Sequence, residues 1–423
     1  MPLRCSLSVL CAFALMSALS ASPAPAQPLP LASPESQGLS PDRIERLHTM
    51  LDSQVGEGKH AGLVGLVARN GRIVDWQAYG LRDIDAKLPM EKDTIVRLYS
   101  MSKVISSVAV MILHEEGRLK LDDPVGKFLP ALEKMKVFAG GSAAKPKLVD
   151  ARRQFTVKEL LTHTSGLIYG FGKQPIDEIY RKANLLESPS MDAFVAKLAT
   201  LPLAFQPGEQ YSYGLSIDVL GAIVEKVSGM PFERFVEERV TKPLGMVDTG
   251  YDVPESKRGR LARVYTLDKN KALTPVPEDQ LAGVYPEAGR GFAAGGAGMF
   301  STIGDYARFG QMLLNGGELD GVRVLGRKTV ELMMTNHLNH LARPTTQNPA
   351  DGFGLGGRVR IDLAKGNQLG SVGEFGWSGA ATTNFVIDPK EHLLLLVVAQ
   401  HFPFNQHDVF WKFSTLAYAS LVN

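Results

Sequence analysis

The chain has 423 residues, 44% of them hydrophobic and 21% charged, with 46 Lys and Arg against 44 Asp and Glu and a formal net charge of +2. A balance this close to neutral carries no electrostatic footprint for nucleic acid or for an anionic membrane surface. Both cysteines, Cys5 and Cys11, fall in the N-terminal leader, which excludes a disulfide framework, a thiol nucleophile and a thiolate metal site from the rest of the chain.

Met1 to Ala26 carries one early cation, Arg4, a largely apolar stretch from Leu7 to Leu19, and Ala24-Pro25-Ala26 ahead of Gln27. This pattern predicts a secretory signal peptide (1–26) cleaved near Ala26, its apolar core too short to span a bilayer. Cys11 follows Leu10 rather than a small residue, which argues against a lipoprotein. The expected mature protein is periplasmic or secreted, has no stable membrane anchor, and keeps 397 of the residues with a net charge of +1. That length suits two intimately joined domains.

Ser40-Pro41 opens an amphipathic helix with Ile44, Leu47 and Leu51 on one face, serine standing as the cap and proline at the first helical position. Leu63–Ala68 and Ile73–Tyr79 then read as strands joined by a tight turn at Asn70-Gly71, and Thr94–Leu98 as a third strand. That strand delivers the chain to Tyr99-Ser100-Met101-Ser102-Lys103. Residues three apart share a helix face, so the Lys103 amine can reach the Ser100 hydroxyl without help from the rest of the fold. Val104, Val108, Met111 and Ile112 continue a helical period, and Gly117 supplies a stop. A second S-x-x-K match, Ser142 to Lys145, lies between Gly140-Gly141 and Pro146, which predicts a loop without that fixed spacing.

From about Met101 to about Tyr285 helical signals dominate, including a capping box of Thr156 with Glu159. Tyr213 falls in a loop before a helix that buries Val219, Leu220 and Ile223. Gly295-Gly296-Ala297-Gly298 leads to Thr302 with Asp305 and a helix through Met312–Leu314. Thr383–Ile387 and His392–Ala399 read as strands around a turn at Asp388-Pro389-Lys390, and Asp408–Leu421 as a final helix. Strands at both ends predict an α/β fold: a mixed antiparallel sheet from residues 27–100 and 290–423, flanked by the terminal helices, with an all-helical domain at 101–289 and the catalytic cleft between them.

Leu160-Leu161-Thr162-His163-Thr164-Ser165-Gly166-Leu167, Pro207 to Gly221 around Tyr213, and Gly295 to Thr302, taken with Ser100 and Lys103, resemble the serine β-lactamase and penicillin-binding-protein superfamily. Class C β-lactamases and family VIII carboxylesterases are nearest. The resemblance runs through nearly the whole mature chain in the same order. It implies a serine β-lactamase-like fold, with Ser100 as the acylated nucleophile, Lys103 as the partner that takes or holds its proton, and Tyr213 as general base and acid near the leaving group. The family's third block matches Trp377-Ser378-Gly379 followed by Ala380, and by that match the backbone N–H groups of Ser100 and Ala380 form the oxyanion hole.

Two departures bear on the substrate. Where β-lactamases of this kind carry Tyr-x-Asn the chain has Tyr213-Gly214-Leu215, and where they carry lysine in the third block it has Trp377. Leucine and tryptophan present apolar surface in place of an amide and an ammonium, as in the esterase branch. The expected activity is hydrolysis of carboxylic esters with modest acyl groups through an acyl-enzyme, the alternative being a class C-like β-lactamase or a D-amino-acid peptidase or amidase of the same fold. The expected partner is a small-molecule ester or amide, with no cofactor. Trp377, Ser378, Gly379, Leu215 and Tyr169 are the candidate substrate-binding residues, with Phe171 beside Tyr169.

Other nucleophile and ligand patterns fit less well. Gly376 to Ala380 nearly spells a G-x-S-x-G elbow at Ser378, but a strand follows instead of the helix an elbow requires. His163 reads as a residue that fixes its turn rather than a triad base. His337 and His340, three apart on an expected helix, have no acidic third ligand nearby, so no metal site is predicted.

Overall fold

The computed structural model describes residues 28–277, 281, 291–341 and 348–423. Residues 1–26, expected from sequence to be a signal peptide, with Cys5 and Cys11, the end of the helical stretch near Tyr285 and the boundary at 289–290 lie outside the described residues.

β1 (Gly62–Arg69) and β2 (Arg72–Asp83) form the hairpin predicted from Asn70-Gly71, both turn residues having positive φ. β3 (Leu88–Pro89) extends it, and the remaining strands come from the far end of the chain: β4 (Asp351–Phe353), β5 (Arg358–Arg360), β6 (Phe375–Gly379), β7 (Thr383–Asp388) and β8 (Leu393–Ala399). The order across the sheet is β4-β5-β6-β7-β8-β1-β2-β3 with antiparallel neighbours. Pairing of β1 with β8, in register from Leu63↔Ala399 to Arg69↔Leu393, sews the two ends of the chain together.

The longer helices are α1 (Pro41–Gly56), α2 (Ser102–Glu115), α3 (Ser216–Ser228), α4 (Ile303–Leu314) and α5 (Val409–Ala419). Side chains alternate across the pleat. Leu63 and Val67 of β1, with Leu393, Leu395 and Val397 of β8, pack against Ile44, Leu47 and Leu51 of α1 and Phe413 of α5. Val64, Leu66, Leu394, Leu396 and Val398 face the opposite way, into the larger core with α2, α3 and α4. Both faces are therefore covered, which is why these strands read as continuous apolar runs.

The capping box at Thr156 and Glu159 and the Thr302 cap of α4 are both made. Ser40 precedes α1 with Pro41 at its first turn, but its side chain makes no capping hydrogen bond. Thr94–Leu98 reduces to a two-residue strand, Val96–Arg97, paired with Phe300–Ser301 outside the main sheet. The stretch read as all-helical also holds two hairpins, Lys136–Gly141 with Pro146–Asp150 and Tyr265–Leu267 with Leu273–Pro275; their strands are too short to outweigh the helical periodicity around them. Ser142 and Lys145 sit in the turn of the first hairpin. His337 lies beyond the last turn of the helix Arg327–Met333, so His337 and His340 do not share a helix face.

Candidate active site

Ser100 stands in a single 3-10 turn, Tyr99–Met101, that runs straight into α2. Tyr99 takes a left-handed φ of 51°, a strained conformation for a bulky residue that the surroundings must hold in place. Backbone contacts supply that hold. The Leu98 N–H donates to the Met299 carbonyl at 2.9 Å and the Leu98 carbonyl accepts from Thr383 Oγ1 at 3.1 Å. Gly379 of β6 passes so close that a Cβ there would lie 2.1 Å from that same carbonyl.

Lys103 is fully buried. A buried amino group is tolerated only when its donors are satisfied, and Nζ has three acceptors: Ser100 Oγ at 3.2 Å, Tyr169 Oη at 3.0 Å and the Gly296 carbonyl at 2.6 Å. The same nitrogen lies 4.7 Å from the ring centroid of Tyr213. The serine, the amine and the phenol picked out from the sequence thus meet at one place, and Ser100 and Tyr213 line one cavity of about 730 Å³ with Tyr169, Phe171, Trp377 and Phe404.

Tyr213 is set by two loops that clasp each other. His163 accepts the Gly214 N–H on Nδ1 at 3.3 Å, its carbonyl accepts from Ser212 N–H at 2.9 Å, and its ring packs 4.8 Å from that of Tyr213. Burial first, and the Lys103 charge second, push the His163 pKa well below its ordinary value, so the imidazole is neutral. It positions the loop, as its turn predicted. Gly214 is required here: a Cβ would fall 2.3 Å from the Leu167 carbonyl.

The two tyrosines beside Lys103 differ. Burial, then the charges of Asp218 and Tyr213, push the Tyr169 pKa well above the ordinary phenol value, so Tyr169 stays protonated and serves Lys103 as an acceptor. Tyr213 Oη instead accepts from Trp377 Nε1 at 3.3 Å. Trp377 and Ser378 lie on β6, followed by the turn into β7, so Ser378 has no elbow geometry; its Oγ donates to Asn384 Oδ1 at 2.8 Å. Thr382, at φ 61°, closes that turn on the Gly379 carbonyl and leaves Ala380 lining the cavity beside Ser100. Leu215 also lines it.

Sequence reading treated Tyr169 as a wall and did not single out Asp218 or the Gly296 carbonyl. Asp218 had a visible signal: it is the one charged residue in the otherwise apolar run Ile217 to Val224. Among the described residues no cluster of three or more His, Cys, Asp or Glu side chains is placed to hold a metal ion, and no helix is long and apolar enough to cross a membrane.

Comparison with known proteins places this geometry in context. The beta-lactamase family model matches residues 47–419. Protein Rv1367c of Mycobacterium tuberculosis is 38% identical over 355 residues, covering 82% of this chain and 87% of that protein. Esterase EstB of Burkholderia gladioli is 31% identical, covering 84% of this chain and 89% of its own. The solved structure of EstCE1, described as a hydrolase with promiscuous acyltransferase activity, superposes with a TM-score of 0.76 at 25% identity, over 90% of this chain and 98% of that one.

Proposed function

The chain belongs to the beta-lactamase family and is a serine hydrolase, and from that premise we propose that it hydrolyses carboxylic esters through an acyl-enzyme on Ser100. Tyr213 takes the hydroxyl proton as Ser100 Oγ attacks the ester carbon, and the carbonyl oxygen becomes an oxyanion facing the Ser100 and Ala380 N–H groups. Collapse of that intermediate breaks the bond to the alcohol, which leaves with the proton returned by Tyr213. Water repeats the sequence on the acyl-enzyme and frees the acid and Ser100.

The observation that carries this reading is Trp377. It stands where a β-lactamase presents a lysine, donates to Tyr213 Oη, and turns its ring into a cavity lined by Tyr169, Phe171, Leu215 and Phe404. A wall of this kind favours an apolar ester over a charged β-lactam or peptide carboxylate. At about 730 Å³ the cavity exceeds what a modest acyl chain fills, leaving room for a bulky alcohol portion. That same room favours a second reading, transfer of the acyl group to an apolar alcohol in place of water, in line with the description of EstCE1.

Side-by-side turnover of p-nitrophenyl butyrate, nitrocefin and a D-alanyl peptide tests the proposal: the ester should be turned over fastest, and preferential nitrocefin or peptide hydrolysis would point to the β-lactamase or peptidase alternative. Fluorophosphonate labelling should map to Ser100. We also propose export through the leader, which N-terminal sequencing of periplasmic material beginning near Gln27 would support.

A further inference from the structure

Behind the reacting groups lies a buried carboxylate that the acyl-enzyme steps leave unused. Asp218 sits in the first turn of α3, 1% exposed, among Ile217, Val219 and Leu220. An ionisable group in such a place is costly unless something compensates it. Its Oδ1 accepts the Gly296 N–H at 2.9 Å, while Oδ2 accepts no hydrogen bond. The carbonyl of that same Gly296 accepts from Lys103 Nζ at 2.6 Å. One residue therefore spans the carboxylate and the ammonium.

Only glycine allows the span, because a Cβ on residue 296 would lie 2.6 Å from Asp218 Oδ2. Gly295 is clamped alongside: Ser106 Oγ of α2 donates to its carbonyl at 2.7 Å, and a Cβ there would lie 2.7 Å from the Ile217 carbonyl of α3. The glycine run noted in the sequence is thus a thin sheet of backbone between two helices, narrow enough for a charge on one to act on the other.

We propose that Asp218 is a positioning residue for Lys103: through Gly296 it aims Nζ at Ser100, and its charge holds Lys103 as the ammonium, so that Tyr213 and not Lys103 takes the Ser100 proton. This rests on the acyl-enzyme reading above. The titratable groups that face Lys103 Nζ are Tyr169 and His163 from the 162–174 loop, Tyr213 from the loop before α3, and Asp218 from α3 itself. His163 is neutral and Tyr169 is a protonated phenol, which leaves Asp218 as the countercharge. Burial, the largest effect, leaves the Asp218 pKa above its ordinary value, while the Lys103 charge and the Gly296 N–H oppose that rise and favour the carboxylate. Tyr251 also feels the Asp218 charge, and burial first pushes its phenol well above its ordinary range. In surroundings of low dielectric a carboxylate close to an ammonium favours the charged form of both. Lys103 Nζ lies 4.7 Å from the ring centroid of Tyr213, beside the phenol that takes the serine proton.

The test is the pH profile of kcat/KM for p-nitrophenyl butyrate in the unmodified protein, in Asp218→Asn, which keeps the volume and an oxygen for the Gly296 N–H, and in Asp218→Ser. With the countercharge lost, the alkaline limb should move to lower pH by about one unit, a loss of about tenfold at a fixed pH on that limb, carried by kcat with KM little changed. A neutral variant that folds and gives the wild-type profile overturns the proposal. An NMR titration of Lys103 Nζ in the unmodified protein decides it without any variant: an ammonium across the active range supports it, and a neutral amine at the pH of greatest turnover overturns it. If the unmodified protein turns over no ester and Ser100 is not labelled, the acyl-enzyme reading itself falls.

Discussion

The roles of the residues around Lys103 are separated by their surroundings rather than by their type. Two phenols lie beside one ammonium, yet Tyr169 accepts a hydrogen bond from it while Tyr213 lies with its ring below it and its hydroxyl toward Trp377. Ser100→Ala and Tyr213→Phe should each lower kcat/KM for p-nitrophenyl butyrate by about a thousandfold or more, the scale seen when a nucleophile or its base is removed, with circular dichroism unchanged. Lys103→Ala should cost as much, and in addition leaves Tyr169 Oη and the Gly296 carbonyl without their donor. Ser378→Ala should retain most turnover, because Ser378 Oγ is spent on Asn384; abolished activity there with an active Ser100→Ala would move the nucleophile to β6.

At the level of elements, the loop carrying Tyr213 has no regular structure of its own and takes its shape from the His163 turn. His163 φ is 54° and Gly214 lies against the Leu167 and Ile168 backbone. Gly214→Ala puts a Cβ 2.3 Å from the Leu167 carbonyl, backbone that cannot swing aside. The loops must part, so kcat for the ester should fall by about tenfold or more through misplacement of Tyr213, and Tm should drop. A normal kcat in this variant would show that Tyr213 does not depend on the clasp. The segment after β8 works similarly from the other side. His401 donates its N–H to the Ala381 carbonyl, Phe402 packs 5.4 Å from Tyr99, and Phe404 reaches the cavity.

Across the whole molecule, that same segment meets a cluster of three histidines whose protonation bears on stability. His60, 1% exposed, packs 5.0 Å from His401 and 5.4 Å from His407, with neither of its ring nitrogens hydrogen-bonded. Burial, then the neighbouring His401, His407, Lys412 and Lys59, pushes its pKa down to about 3. The unfolded chain takes up a proton near the ordinary histidine value of 6.5 that the folded chain refuses. Stability is therefore fully present above that pH and is lost as pH falls from about 6.5 toward 3, by up to about 1.4 kcal/mol per pH unit for this group. His60→Leu removes both unpaired nitrogens at similar volume, and the decline of Tm between pH 7 and pH 5 should become shallower; an unchanged decline would locate the acid sensitivity elsewhere. His401 and His407, also pushed down by burial first, supply the remainder.

What the amino-acid order determined by itself is local. The Ser100–Lys103 spacing follows from helix geometry, the β1–β2 turn from Asn70-Gly71, the caps at Thr156 and Thr302 from side chains three residues from their partners, and the buried strands from unbroken apolar runs. The recognisable blocks around Tyr213 and Trp377 were legible as patterns too. Their meeting was not. Tyr169 lies 66 residues from Lys103, Gly296 lies 193 away, and Trp377 is 164 from Tyr213. Such contacts exist only after the pairing of β1 with β8 and the packing of α2 on α3 have met the entropy cost of closing long loops. Side-chain type alone does not say which buried partner a phenol or a carboxylate will find; the tertiary structure decided that Tyr169 faces the ammonium, that Asp218 stands behind Gly296, and that the wall opposite Ser100 is aromatic.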